Sequence, residues 1–453
     1  MNAVLLIAVP LLAAFISILV KKFSPYILLV VSFASIMALQ YVDAGEVILG
    51  GFEAPYGINL VVDTYSLTGL YIVNVLFFLV VALNGLKFQK LSSVLLVSLA
   101  GLNGLLLTGD LFNLFVFIEI SGIAAYLITT TNKKPLATFN YLVAGTVGSS
   151  LYLLGLIILY AMFGTLNMRG IAVSASGAEV ALPFLLMFIG LGVEAKLLPF
   201  NSWVKGILGN SNTLSGPMIA SVYATAFGFV FGRLLVNVFE ISDQLSLIIT
   251  AVVIFSVLAG EAMAFASSKL REILLFSSVA QAALVVLMFV NGFAGWAVML
   301  VVANGLGKFV LFLITNIITE EAGTDEVDEL KGVFSKNLVI GIAFTVVSLS
   351  VIGLPLFFGF VVKMAMLESL MSVGYLLPAV ILVSSVVEGV YFIKLLTKLW
   401  FSKDEAKEIS FDFVVKYTVV IIALLFVVFG VYKAPAEDVV NDINNINYVQ
   451  GGN

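Results

Sequence analysis

Seven ionisable residues lie inside stretches that are otherwise apolar, and any chemistry in this chain starts with them. Glu119 sits within Leu-Phe-Val-Phe-Ile-Glu-Ile, and Glu194 and Lys196 are two residues apart just before a proline. Glu261, Lys308, Lys363 and Glu388 follow in separate apolar stretches, Glu388 being the weakest of the set. An ionised side chain at the centre of a bilayer costs ~2.5–3.5 kcal/mol on insertion scales, and such residues usually mark a pathway. A lysine buried beside a carboxylate is pulled two ways. Burial weakens its hold on a proton and the partner strengthens it, so moving the partner's charge switches the lysine. A row of acids and lysines can therefore relay protons by electrostatics. The plainer reading is a set of ion pairs locking helices together, which suits Glu261 and Glu388 best. Lys363 could equally snorkel to an interface, and Arg233 reads as a structural or interfacial charge.

Composition narrows the chemistry further. The 453 residues are 61% hydrophobic and only 11% charged, with neither cysteine nor histidine. Disulfides, Cys/His zinc sites, iron–sulfur ligation, histidine-ligated haem and histidine-based triads are excluded within this chain, so no cofactor is expected in it. The formal charge of -5 comes largely from Glu320–Glu329 and the region after Asp404. No basic tract interleaved with aromatics points to nucleic acid.

The elements that must position the seven charges are membrane helices. At roughly 20 apolar residues per crossing, about fourteen spans can be placed. They lie near 3–20, 25–42, 65–86, 91–108, 111–131, 136–164, 180–208, 213–237, 244–266, 270–290, 293–319, 338–370, 374–400 and 413–432. The first lacks a basic leader and a cleavage site, so it reads as a span rather than a signal peptide. Segment 43–63, with Gly50-Gly51, Pro55 and Gly57, reads as an irregular or hairpin-like cap at the membrane surface, and the tail after Lys433 as extramembrane and partly disordered. Lysines 21, 22, 87, 90, 133, 134, 205, 269, 331, 336, 398, 403 and 407 and Arg271 end or follow odd-numbered spans. By the positive-inside rule the odd loops are cytoplasmic and both termini lie outside a cell membrane, with lipid as the surrounding partner.

Two spans carry breaks: Lys196-Leu-Leu-Pro199-Phe-Asn-Ser-Trp203 in span 7 and Gly353-Leu-Pro355-Leu-Phe-Phe-Gly359 in span 12. Proline removes a backbone hydrogen bond, which membrane depth tolerates only where protein or a wet cavity satisfies the freed groups. A five-span offset between the breaks suits two tandem five-helix units of opposite direction, an arrangement that points to an ion pathway. Ser202, Ser211, Thr213, Ser215, Thr225, Ser277, Ser278 and Gln281 near the breaks could hold connecting waters or simply pack helices.

Gly51–Asp63 resembles the hairpin before span 3 in the antiporter-like subunits of complex I and Mrp-type Na⁺/H⁺ antiporters. Phe-Ile-Glu119-Ile matches that family's span-5 glutamate motif, and Lys-Leu-Leu-Pro199-Phe-Asn-Ser-Trp203 is similar to its lysine-then-Pro-x-His-x-Trp break. Arg271-Glu-Ile-Leu-Leu-Phe-Ser-Ser278-Val-Ala-Gln281, Asn304-Gly-Leu-Gly-Lys308-Phe-Val-Leu-Phe-Leu and Gly353-Leu-Pro355 through Lys363 resemble further family stretches, together covering roughly residues 45–400 in order. The resemblance implies an all-α polytopic fold of fourteen helices with an inverted repeat, spans 4–8 against 9–13. It divides the chain into N-terminal helices with the hairpin (1–90), two repeats (91–240 and 241–400) and a final helix with tail (401–453). It also implies that Glu119 pairs with a span-7 lysine and that Lys308 and Lys363 continue the path.

The implied function is an ion-translocating subunit, moving H⁺ or exchanging it for Na⁺, in a redox-driven complex. Its partners would be other membrane subunits and peripheral subunits bearing iron–sulfur or nickel–iron centres. Hydrogenase, sulfane-reductase and Mrp-like relatives are favoured over classical complex I. A stand-alone cation/proton antiporter and a non-conducting structural subunit are the alternatives. Three departures stand out. The family's span-7 lysine register falls on Glu194, a span-8 lysine is replaced near Ala224, and two family histidines are Asn201 and Asn304. In a regular helix Lys196 is turned by about 200° from Glu194, so only local unwinding could re-aim it.

Overall fold

The structure, a computed structural model, describes residues 1–52, 57–84, 87, 89–175, 179–401 and 407–446. Apart from one two-stranded hairpin it is built of helices. In chain order these are α1 (Leu5–Leu19), α2 (Ser24–Leu39), α3 (Thr64–Asn84), α4 (Ser92–Leu107), α5 (Leu111–Thr129), α6 (Pro135–Phe163), α7 (Met168–Ser174) and α8 (Ala181–Glu194). There follow α9 (Val204–Leu208), α10 (Ser215–Pro217), α11 (Ala224–Asn237), α12 (Asp243–Ala266), α13 (Leu270–Val290) and α14 (Ala294–Ala322). The last are α15 (Val333–Lys336), α16 (Leu338–Ile352), α17 (Phe358–Met371), α18 (Leu376–Trp400), α19 (Phe413–Val431) and α20 (Ala434–Asn444). A π-helical stretch, Met218–Tyr223, joins α10 to α11.

Among the described residues eleven helices are long and apolar enough to cross a membrane, and Leu5–Leu19, Ala181–Glu194 and Leu338–Ile352 are shorter apolar helices. Two of those three are short because the predicted breaks cut them. α8 stops at Glu194 and the chain resumes helix only at Val204; α16 stops at Ile352 and α17 begins at Phe358. Gly353 takes the left-handed conformation at φ 88°, which closes α16 without a Cβ penalty. Ser350 then accepts a hydrogen bond from the Gly359 amide at 2.9 Å, and Gly359 lies so close to the Ser350 backbone that a Cβ would collide with it.

The surface cap is a hairpin. β1 (Gly45–Ile48) pairs antiparallel with β2 (Asn59–Val62), Glu46 opposite Val61 and Val47 opposite Leu60; residues 53–56 of the predicted cap lie outside the described residues. The Gly109 amide donates to the Asn59 carbonyl at 2.9 Å, which seats the hairpin on the loop before α5. The terminal ammonium of Met1 meets Asp43 at 2.9 Å, and the Gly295 amide at the start of α14 donates to Asn444 at 3.0 Å. Met1 and Asn444 therefore lie on the face formed by even-numbered connections. Lys205 pairs with Glu272 at 3.1 Å and Gln89 donates to the Lys21 carbonyl at 2.8 Å, so odd-numbered connections gather on the opposite face.

The tail is helical in part. After Lys433 the chain forms α20, because Val440 and Ile443 bury an apolar stripe, with Val440 against Gly295; residues 447–453 of the expected partly disordered tail lie outside the described residues.

Arg233 proves structural. Its guanidinium grips Asp63 in a two-pronged pair at 2.6 and 2.9 Å and lies 4.7 Å over the Tyr65 ring, tying α11 to the entry of α3. Burial by itself pushes the Asp63 carboxyl up, but the Arg233 charge and hydrogen bonds from Arg233 and Ser66 outweigh it and hold it below the ordinary carboxylate range. The stability this contributes is present above an unfolded carboxyl pKa of about 4 and is lost as pH falls through the lowered folded value. Asp63→Asn should cost about 2 kcal/mol, since it replaces a charge-assisted, two-pronged grip on Arg233 with a neutral amide. Thermal unfolding in detergent at neutral pH checks it; an unchanged midpoint refutes the role.

Candidate functional site

The break in span 7 decides where two of the seven charges point. Glu194 is the last residue of α8, and its carboxylate turns toward α5 and α6. It accepts a hydrogen bond from the Tyr141 hydroxyl at 3.1 Å, and the Tyr126 hydroxyl is directed at it as well. Gly145 makes room for this contact, since a Cβ there would run into the Tyr126 hydroxyl. Tyr141 is itself held by Trp203, stacked at 3.9 Å, and the Trp203 indole donates to the Val193 carbonyl freed by the break. Glu119, half-buried on α5, lies within electrostatic reach of Glu194.

The pairing that the resemblance implies between Glu119 and a span-7 lysine is not formed. Its register holds a second carboxylate, and among the described residues Glu119 makes no ion pair within 4.0 Å. Lys196 goes the other way. It adopts φ 65°, a left-handed conformation that costs an L-residue roughly 1–2 kcal/mol. That single dihedral releases it from the helical rotation and sends its buried ammonium to Ser278 on α13 at 2.9 Å.

Ser277, the next residue along α13, accepts a hydrogen bond from Lys308 of α14 at 2.7 Å. Two adjacent hydroxyls therefore receive two lysines arriving from different helices. Both lysines line a cavity of about 40 Å³ in the middle of the molecule, together with Ala224, Thr225, Gln281 and Asn304. A water needs ~10–15 Å³ on this measure, so the space suits about three. The Thr225 hydroxyl and the Asn304 amide nitrogen on its walls have no hydrogen-bond partner among the described residues. Lys196 thus enters the space beside Ala224 from the break.

Beyond Lys308 the remaining charges form one cluster. Lys363 of α17 meets Glu388 of α18 at 2.6 Å and donates to the Ile352 carbonyl at 3.1 Å. That carbonyl belongs to the negative end of the broken helix α16, which favours a cation. Gln281 of α13 donates to the other Glu388 oxygen at 2.8 Å. Glu261 of α12 is 2% exposed, and Lys308, Lys363 and Glu388 are all close enough for their charges to act on it. The Tyr391 hydroxyl is directed at Glu261 and Ser277, but neither it nor one Glu261 oxygen completes a hydrogen bond among the described residues.

The structure therefore brings Lys196, Lys308, Glu261, Glu388 and Lys363 into one buried run and leaves Glu119 and Glu194 in a tyrosine-lined cluster on the other side of the break. Lys363 does not snorkel; it is drawn inward by Glu388. Of the small polar residues considered, Ser277, Ser278 and Gln281 touch the charges directly, whereas Ser211 and Ser215 make packing hydrogen bonds near the lysine-rich face. Tyr126, Tyr141 and Tyr391 were not singled out from the sequence. The available signal was a phenol inside an apolar span, whose hydroxyl usually needs a partner when buried.

This arrangement coincides with a known family. The pattern described as NADH:quinone oxidoreductase/Mrp antiporter, TM, matches residues 108–388, which include both breaks and all seven charges. The chain belongs to that family. It is 33% identical over 371 residues to the NADH-quinone oxidoreductase subunit N of Desulforudis audaxviator, covering 77% of this chain and 74% of the relative. A chain of the archaeal membrane-bound sulfane sulfur reductase superposes with a TM-score of 0.91 at 26% identity, covering 99% of this chain and 97% of that one. A chain of the Mrp complex from Dietzia sp. DQ12-45-1b superposes with a TM-score of 0.90 at 19% identity over 99% and 97%, a likeness of fold. Reductase and antiporter relatives thus share this architecture.

Proposed function

We propose that the chain carries protons through the membrane part of a redox-driven multisubunit complex, over a relay of lysines, carboxylates and water. The observation supporting this most directly is the contiguous buried run from Lys196 through Lys308 and Glu261 to the Glu388–Lys363 pair. When a proton or a neighbouring charge shifts at one end, each group changes its hold on a proton in turn. The two repeats, 91–240 and 241–400, then differ in role. Every member of the run except Lys196 lies in the second, whereas the first keeps Glu119 and Glu194 in a separate tyrosine-lined cluster.

The electron chemistry falls to peripheral partner subunits with iron–sulfur or nickel–iron centres, because this chain offers neither thiolate nor imidazole. The lysine-rich face is cytoplasmic and both termini are outside the cell membrane, following the excess of lysine on odd connections. Proton transfer is the primary activity, with exchange for Na⁺ as the variant.

Purification in mild detergent tests the assembly: iron–sulfur or nickel–iron subunits should co-migrate. Recovery only with small antiporter subunits would move the chain to the ion-exchange reading. In vesicles holding the complex, Glu119→Gln should slow acidification on the order of tenfold, by neutralising the carboxylate nearest Glu194. Acidification at the parental rate would remove Glu119 from the path, and a sodium requirement would show that H⁺ is not moved alone.

A further inference from the structure

On the lysine-rich face a cavity of about 230 Å³ opens between the end of α12, the start of α13 and the second half of α18. Asp328, Lys394 and Lys398 stand among its lining residues, and Tyr391 among the buried ones. Asp328 is bridged by Lys331 at 2.7 Å and Lys398 at 2.9 Å, and those hydrogen bonds hold its carboxyl down to about 2. It is therefore a fixed anion at any physiological pH, and two lysines anchor it. On the inner side of Tyr391 lies Glu261; one buried Glu261 oxygen and the Tyr391 hydroxyl directed at it complete no hydrogen bond among the described residues, and Tyr391 is 3% exposed. A buried carboxylate oxygen and a buried phenol side by side, both with spare hydrogen-bonding capacity, are costly to keep unless they exchange partners.

We infer that this cavity is the proton inlet of the second repeat and that the Tyr391 hydroxyl is the step between it and Glu261, an assignment that rests on the relay proposed above. The transfer balances within the site. As Tyr391 gives its hydroxyl proton to the Glu261 oxygen, the phenol oxygen takes one from a hydronium ion on the cavity side. At the phenol oxygen one O–H bond breaks and one forms, the Glu261 carboxylate gains an O–H bond, and the hydronium loses one to leave water, so the phenol is regenerated. Glu261 then passes the proton toward Lys308 or Glu388. Tyr391 lines the cavity while its hydroxyl faces Glu261, so it stands between the two compartments.

The test uses vesicles containing the assembled complex. Tyr391→Phe keeps the ring and removes the hydroxyl, and it should cut proton translocation on the order of 10²-fold, the low end of what a positioned proton carrier supplies. The parent chain has no cysteine, so Ala266→Cys places a single thiol on the cavity wall. This variant should translocate normally until a trimethylammonium thiol reagent reaches the lysine-rich face. It should then be blocked, with no effect from the opposite face or on the parent complex. If Tyr391→Phe fails to assemble, the thiol block alone decides. Normal translocation in Tyr391→Phe and in labelled Ala266→Cys, with Glu261→Gln inactive, overturns the inlet and leaves the relay standing. If Glu261→Gln also translocates normally, the relay fails at that residue and the inlet with it.

Discussion

Lys363→Met is expected to abolish ion translocation by the assembled complex and to weaken the protein at the same time. Its ammonium meets Glu388 at 2.6 Å and the freed Ile352 carbonyl at 3.1 Å, with Glu261 within electrostatic reach. Without it, two buried carboxylates face each other with one amide donor, Gln281, on Glu388. Removing one member of a buried pair typically costs ~3–5 kcal/mol, because the other charge is left stranded. The cation that joins the two carboxylates in one run is then gone, which stalls any relay passing through them. Stability and transport then separate in the double variant. Lys363→Met with Glu388→Met replaces the whole pair by apolar groups of similar length, a change that is often neutral for stability. The double variant should regain assembly and thermal stability but stay inactive in a vesicle acidification assay. Acidification by the double variant would show that the pair only fastens α17 to α18.

Lys196→Met is expected to have the opposite effect on stability and the same effect on transport. The Lys196 ammonium is buried, its hydrogen bond goes to the neutral Ser278 hydroxyl, and the charge that acts on it is another lysine, Lys308. Desolvating an ammonium without a counter-ion is unfavourable, so methionine should keep the packing of the stem and relieve that cost. The unfolding midpoint should hold or rise while translocation falls on the order of 10²-fold. Such a pairing marks a residue kept for function at the expense of stability. A normal rate in Lys196→Met would place the break region outside the path, and a lowered midpoint would mean that the ammonium has a structural partner.

Much of this protein was legible in the linear chain for simple reasons. Apolar runs of membrane length report spans because lipid leaves the backbone no partner but itself. Pro199, Gly353 and Pro355 report the breaks because each disrupts a helical hydrogen bond or conformation. Charges in an apolar run such as Glu261 and Lys308 stand out because their burial is costly. The helix in the tail was not legible for an equally physical reason. Val440 and Ile443 form a short stripe in a polar segment, and only the groove beside Gly295 makes helix the better state for it.

Partners were another matter, since they depend on which faces meet. Glu194 and Lys196 are neighbours in the chain, yet a left-handed residue at 196 sends them to different clusters. Ser277 and Ser278 looked like any small polar pair until α8 and α14 each delivered a lysine to them. Tyr391 offered only the general signal of a phenol inside an apolar span, with nothing to say which charge it would meet. By itself the sequence determined the helices, their two interruptions and the set of buried charges, because hydrophobic length, proline and desolvation act locally. The tertiary structure alone decided the order in which those charges touch. That order hangs on one dihedral at Lys196 and on the crossing of α12, α13, α14, α17 and α18, contacts between residues far apart in the chain.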